Sequence, residues 1–321
     1  MTVCIAAISS FGEGDVIVGA SDRMLTAGDI EFEPTLPKIY PITSSIVAML
    51  AGDSPTQAEV LHEVDREIKK LLEEKPDRWL DVKEVAELYA TCYKRRRSRE
   101  AETAILAPLY LDANTFISRQ REMDPSFIRE IATELYNYRP PDTAAIITGL
   151  DTTGGHVFVV VNGSIDCNDH VGFASIGVGS GHANSQFMFA GYTLGRSYPE
   201  TLMLTYASKK RSEAAPGVGE ATDMFIIGTT LGSFKRIPAS LIDRLEKTYQ
   251  TMRDEIRTSR DKSEGEIREW FNEVIRKAEA QQQEQSRPEG DGETSSDSEG
   301  VRADAKESKR KDGKQPKETV H

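Results

Sequence analysis

Cysteine is scarce in this chain of 321 residues: Cys4, Cys92 and Cys167 are the only three, with no paired spacing. An odd, unpaired set argues against a disulfide framework and for a reducing compartment. Long apolar runs are missing too. No stretch approaches the roughly 20 residues of a membrane span, and no charged start leads into an apolar run with a cleavage site. The expected location is the cytoplasm, without membrane contact. Histidine is sparse: none of His62, His156, His170, His182 and His321 has a His or Cys partner at ligand spacing, so neither zinc nor any other cofactor is expected. Basic charge is short, with a net charge of −12. An acidic chain repels phosphate backbones, so no nucleic-acid partner is expected. The basic cluster "YKRRRSRE" (Tyr93–Glu100) follows a helical pattern and reads as a solvated helix end, and Lys309–Lys317 as a solubilising extension.

Periodicity supplies the architecture. "VCIAAIS" and "DVIVGASD" read as strands joined by the turn "SFGEG", and "PKIYPIT" with "SIVAMLAG" as a second hairpin. The period then lengthens to that of a helix. Val60, Leu61, Val64, Ile68, Leu71 and Leu72 share one face of "AEVLHEVDREIKKLLEE"; a second helix is expected at "LDVKEVAELYATCY" and a third at "DPSFIREIATELYNY". Strands return at "TAAIITGLD", "HVFVVV" and "FASIGVG", helices at "GHANSQFMFAGYTLG" and "YPETLMLTYASKKRSEA", and a last strand pair at "TDMFIIG" and "SFKRI". This order predicts an α+β fold with two antiparallel sheets facing each other and helices outside, rather than a doubly wound parallel sheet. A charged helical extension is expected over 241–280 and a disordered tail over 281–321, where little apolar remains to bury.

Most chemical signatures are weak. "GVGSGH" (Gly177–His182) lies between a strand and a helix but lacks the lysine of a phosphate loop, and no G-x-S-x-G elbow occurs. "AGDSPTQ" reads as a helix start, with Asp53 or Ser54 as its cap. The start of the chain is different. A threonine hydroxyl needs a base to become a nucleophile, and an N-terminal threonine carries one as its own amine. Thr2 acquires that amine if Met1 is removed. Asp22 ends the second strand and Lys38 opens the third; a buried lysine would lower the pKa of a nearby amine and hydroxyl, and an acidic partner would keep it charged, while the commoner reading of two such residues is plain surface charge at strand ends.

These residues resemble the proteasome β-type subunits and the bacterial proteasome-like members of the N-terminal nucleophile hydrolases. Asp22 and Lys38 stand sixteen residues apart, "DRMLTAG" (Asp22–Gly28) is similar to the family's D-x-x-x-T-A-G, and Gly52 follows Lys38 by fourteen. "GVGSGH" is similar to the family's "AIGSG" turn and assigns Ser180 to its site serine. In "SEAAPGVG" Glu213 stands for the family's orienting aspartate, while Pro216 replaces its serine. The resemblance covers about three quarters of the chain; Arg95–Tyr138 is longer than usual, and the segment after about Ser240 has no counterpart.

The resemblance implies a four-layer αββα sandwich over 2–240. It further implies a threonine-type endopeptidase working through an acyl-enzyme, with Thr2 as nucleophile, Gly52 N–H as oxyanion donor and Lys38 held by Asp22. Thr26 would pair with extended substrate, and Leu36, Tyr40 and Leu50 would line an apolar-preferring pocket. Peptides or unfolded proteins are the implied substrates, and a homo-oligomeric ring or open array the implied assembly. Whether an ATPase partner exists is left open. Two other readings stand beside this one: an amidohydrolase acting on a non-peptide amide, and a non-catalytic assembly subunit.

Overall fold

The computed structural model describes residues 2–12, 14–27, 30–34 and 38–285. It divides into two units, Met1–Arg257 and Thr258–His321. The first unit opens with three antiparallel hairpins: β1 (Cys4–Phe11) with β2 (Gly14–Asp22), β3 (Leu25–Ala27) with β4 (Ile30–Phe32), and β5 (Ile39–Pro41) with β6 (Ile46–Gly52). Four helices follow: α1 (Ser54–Glu74), α2 (Val82–Ala101), α3 (Ala113–Ser118) and α4 (Pro125–Asn137). Strands β7 (Thr143–Asp151), β8 (Gly154–Val161), β9 (Ser164–Cys167) and β10 (Phe173–Ile176) come next. Then come α5 (Ser180–Phe189), α6 (Tyr198–Ser212), β11 (Thr222–Ile227), β12 (Phe234–Arg236) and the long α7 (Ala239–Gln285).

Ten of the twelve described strands assemble into two antiparallel five-stranded sheets, β10-β1-β2-β11-β12 and β5-β6-β7-β8-β9, and β3-β4 stands as a two-stranded sheet. Val3 to Ala7 are all fully buried, so β1 is covered on both faces, and its run is continuously apolar instead of alternating. One core cluster joins the two sheets, with Ile8, Ile17 and Phe225 of the first meeting Met49, Ile146 and Val157 of the second. A second packs Val60, Val64, Val85 and Tyr89 of α1 and α2 onto Ile147 and Val160. Two more set Phe187 and Leu204 on Ile5 and Phe173, and Leu202, Tyr206 and Leu245 on Val18 and Met224. Each fully buried aliphatic or aromatic side chain of this kind contributes about 1.5–3 kcal/mol. The protein is therefore α+β, with two antiparallel sheets and helices packed on them.

Helix α1 begins where its chemistry dictates. Asp53 is the cap, its Oδ2 accepting from Thr56 N–H at 2.9 Å, and Pro55 occupies the first turn, where no N–H is needed. Several features depart from the sequence-based expectations. The hairpin β3–β4, strand β9 and helix α3 are additional; three of these four elements have only three or four residues, too few to show a period. "YKRRRSRE" is not a uniformly solvated end. Arg96 is buried within α2, where it pairs with Glu59 and Glu100 at 2.8 Å each and donates to Thr56 Oγ1. It falls in line with Val82, Val85, Tyr89 and Tyr93 on the buried face. Helix α7 starts at Ala239 and continues to Gln285, so 281–285 is helical, while 286–321 lies outside the described residues. Leu241, Leu245 and Tyr249 pack into the core, whereas Met252 and Ile256 are exposed. In the second unit Ile267, Trp270, Phe271 and Val274 are exposed. No described helix is long and apolar enough to cross a membrane.

Candidate active site

Thr2 precedes β1 and is held from both sides by the ends of other strands. Val3 N–H donates to Asp22 Oδ1 at 2.9 Å, and Asp22 N–H returns a bond to Val3 C=O at 3.2 Å. This clamp ties the start of β1 to the end of β2 and sets the Thr2 hydroxyl over the Asp22 carboxylate. The Thr2 hydroxyl donates to Asp22 Oδ1, and Lys38 Nζ donates to Thr2 Oγ1. Lys38 Nζ closes the triangle with Asp22 Oδ1 at 2.8 Å.

Burying a carboxylate is costly unless donors surround it. Asp22 is fully buried and has five described donors. Thr2, Val3 and Lys38 reach Oδ1, while Met24 N–H (3.1 Å) and Gly219 N–H (3.0 Å) reach Oδ2. Neighbouring Cys4 is a second nucleophile type close by, but its Sγ contacts Leu50 C=O at 3.4 Å and burial pushes its thiol up to about 12. Such a thiol stays protonated near neutrality and is inert.

The turn before α5 grips the backbone of the same threonine. Gly179 N–H donates to Thr2 C=O at 3.2 Å. Gly177 has φ +92°, and a Cβ there would collide with that carbonyl, so only glycine fits. Ser180 heads α5 directly after this turn, and its carbonyl accepts from Ser175 Oγ at 3.1 Å. Gly52 ends β6 with φ +100°, where a side chain would strike Asp142 C=O. It shares with Thr2 and Lys38 the wall of a cleft of about 710 Å³.

No protein-family model matches this chain, and no curated protein is significantly similar to it.

Glu213 is not brought to Thr2 by any described bond. Its carboxylate takes Lys209 Nζ at 2.6 Å and Lys210 Nζ at 2.9 Å. Lys209 is fully buried and also donates to Gly219 C=O at 2.9 Å and Glu220 C=O at 2.6 Å. Burial drives the Lys209 ammonium below its ordinary pKa, against the pull of Glu213 and the field of Asp22. Glu213 thus reaches the site at two removes: it holds Lys209, Lys209 holds the 219–220 backbone, and Gly219 N–H serves Asp22. The signal for Lys209 lay in α6, where it shares the buried helix face with Leu202, Thr205 and Tyr206.

Of the expected pocket residues, Tyr40 and Leu50 line the cleft. Leu36 lies outside the described residues, and of Thr26 only the backbone is described, pairing with Glu31 across β3–β4. Asp65 and His62 of α1 also line the cleft. The Tyr40 hydroxyl donates to Asp65 Oδ2, and that bond, with burial and the charge of Asp65, pushes the phenol up to about 12. Among the described residues no group of three or more His, Cys, Asp or Glu could hold a metal ion.

Proposed function

We propose that this protein is a threonine-type peptidase of the proteasome β-type, N-terminal-nucleophile class, built as a four-layer αββα sandwich. One observation carries the reading: the Thr2 hydroxyl is bonded at once to Lys38 and to buried Asp22, in the lining of a cleft. The layering is supported by the core cluster that joins the two sheets and by the helices packed against each of them.

In this mechanism loss of Met1 frees the Thr2 amine, which takes the hydroxyl proton as Oγ1 attacks a peptide carbonyl. The positive charge of Lys38 favours the developing alkoxide, and Asp22 fixes Lys38 in place. Gly52 N–H receives the oxyanion, an interaction worth about 10²–10³ in rate in other hydrolases. The amine then protonates the leaving nitrogen, and water cleaves the Thr2 ester. Ser180 acts near the amine, and Glu213 acts through Lys209. The cytoplasm is the proposed location and a homo-oligomer the proposed assembly.

The test is intact mass with and without a peptide epoxyketone, which traps an N-terminal threonine through both amine and hydroxyl. Loss of Met1 and a single adduct on Thr2, absent in Thr2→Ala, is the expected result. Retention of Met1, or mature protein without an adduct, would sink the reading. Hydrolysis confined to small acyl amides would move it to an amidohydrolase. Normal partner binding by Thr2→Ala, with no hydrolysis by the wild type, would move it to an assembly subunit.

A further inference from the structure

The cleft beside Thr2 was expected to be apolar, yet it ends on charge. Lys38, just before β5, and Tyr40 within it are two residues apart, so their Cα atoms stand about 7 Å apart and their side chains leave the same face. The tip of Lys38 meets Thr2 and the tip of Tyr40 meets Asp65. Helix α1 presents Ser54, Ala58, Leu61 and Asp65 to the same cleft at spacings of three and four. The Thr2 hydroxyl and the Asp65 carboxylate therefore line one cleft, each held by the tip of a side chain two residues from the other. Leu25, Phe32, Leu50 and Leu61 line the space as apolar surface.

Charge is unbalanced there. Lys38 is the only described lysine or arginine in the lining, and it is committed to Asp22 and Thr2. Asp65 has one described hydrogen bond, from Tyr40, and no described ion pair. Asp53 adds a second carboxylate, engaged in capping α1, and His62 is the remaining titratable group in the lining. The Tyr40 phenol, its ionisation pushed up to about 12, stays a neutral donor that orients Asp65 without competing for a cation.

We propose that this cleft binds a cationic side chain, a lysine or arginine of the substrate, with its methylenes along the apolar wall and its charge on Asp65. The site needs no hydrolysis to exist; its role in choosing the residue before the scissile bond rests on the peptidase reading.

Binding and turnover test the two parts separately. In full-length Thr2→Ala protein, benzamidine is the cationic probe and benzamide its neutral counterpart, each followed by NMR titration. Benzamidine should bind at least ~10-fold more tightly, and Asp65→Asn should remove that preference. Tyr40→Phe, which keeps the carboxylate, should retain it. The proposal is overturned if the two probes bind alike, or if a folded Asp65→Asn variant still prefers benzamidine. Should Asp65→Asn misfold, titration of Thr2→Ala in rising salt decides. A benzamidine preference that does not fall with salt is not an ion pair. In the wild type, kcat/KM should be higher for peptides cut after arginine than after leucine, and the reverse order overturns the substrate class. Benzamidine binding without any hydrolysis would instead sink the peptidase and leave the cation site standing.

Discussion

Two lysine–carboxylate pairs lie on opposite sides of one short chain of hydrogen bonds. In the first, Lys38 and Asp22 meet at 2.8 Å, and the lysine's second contact is the Thr2 hydroxyl at a cleft. In the second, Lys209 and Glu213 meet at 2.6 Å, and the lysine spends its remaining donors on the Gly219 and Glu220 carbonyls. Among the described hydrogen bonds the two are linked through Gly219, whose N–H serves Asp22 while its C=O serves Lys209. The Lys38 side chain is 9% exposed and that of Lys209 is fully buried, so burial alone distinguishes the two lysines little. What separates them is the third partner: a side-chain hydroxyl facing a cleft in one case, backbone carbonyls in the other.

The sharpest way to break this comparison is Lys38→Met. Hydrolysis should fall on the order of 10³-fold, about 4 kcal/mol of barrier, measured as kcat/KM on peptides and as the epoxyketone inactivation rate. Activity near the wild-type level would erase the distinction. Lys209→Met should act on the fold instead. It strips the Gly219 and Glu220 carbonyls of their donor, the first of them buried, and should cost about 2–4 kcal/mol in chemical denaturation, with hydrolysis per folded molecule falling much less than in Lys38→Met.

Glu213→Gln keeps an acceptor for Lys209 and should cost only about 1 kcal/mol by the same measurement. If Glu213 oriented Thr2 directly, as the family resemblance implies, this variant would lose hydrolysis as severely as Lys38→Met. The smallest effect is expected at the rim of the second pair, where Lys210 lies between Glu213 and Glu246. Burial opposes ionisation of Glu246, but the Tyr206 hydroxyl, Gln250 and Lys210 outweigh it and hold its carboxyl below the ordinary range. Its contribution is thus present above the unfolded value of about 4.3 and lost as pH falls through the depressed folded value. Wild type and Glu246→Gln should differ slightly in Tm near neutrality, since Glu246 is partly exposed, and converge in acid. A gap that widens in acid would reverse the sign and refute the assignment.

The comparison also marks the limit of what the sequence disclosed. Helices α1, α2 and α4 were legible because each repeats a helical period over enough residues to be read, and hairpins β1–β2 and β5–β6 because paired apolar runs flank a turn signal. Thr2, Asp22 and Lys38 stood out as a set only through the spacing that the resemblance supplied, since strand-end positions alone also fit plain surface charges. Lys209 did not, although its place on the buried face of α6 was visible in its spacing from Leu202 and Tyr206. Its partners lie in an irregular segment, Gly219 and Glu220, and backbone acceptors leave no trace in residue identity. The bond from Tyr40 to Asp65 was hidden for a related reason. It joins a strand to a helix across 25 positions, and neither residue departs from what a solvated face would carry. Arg96 was misread because a run of like charges draws attention away from the one member that falls on the apolar face.

The bond from Gly219 to Asp22 crosses 197 residues. Asp22 therefore lacks one of its donors until the chain beyond α6 has been made and has folded back against β2. Before that point a carboxylate short of partners favours water over the interior, and the triangle with Thr2 and Lys38 has no sealed place to form. The chain beyond α6 thus supplies the last of the described donors to Asp22, and an incomplete chain would carry Thr2, Asp22 and Lys38 without it.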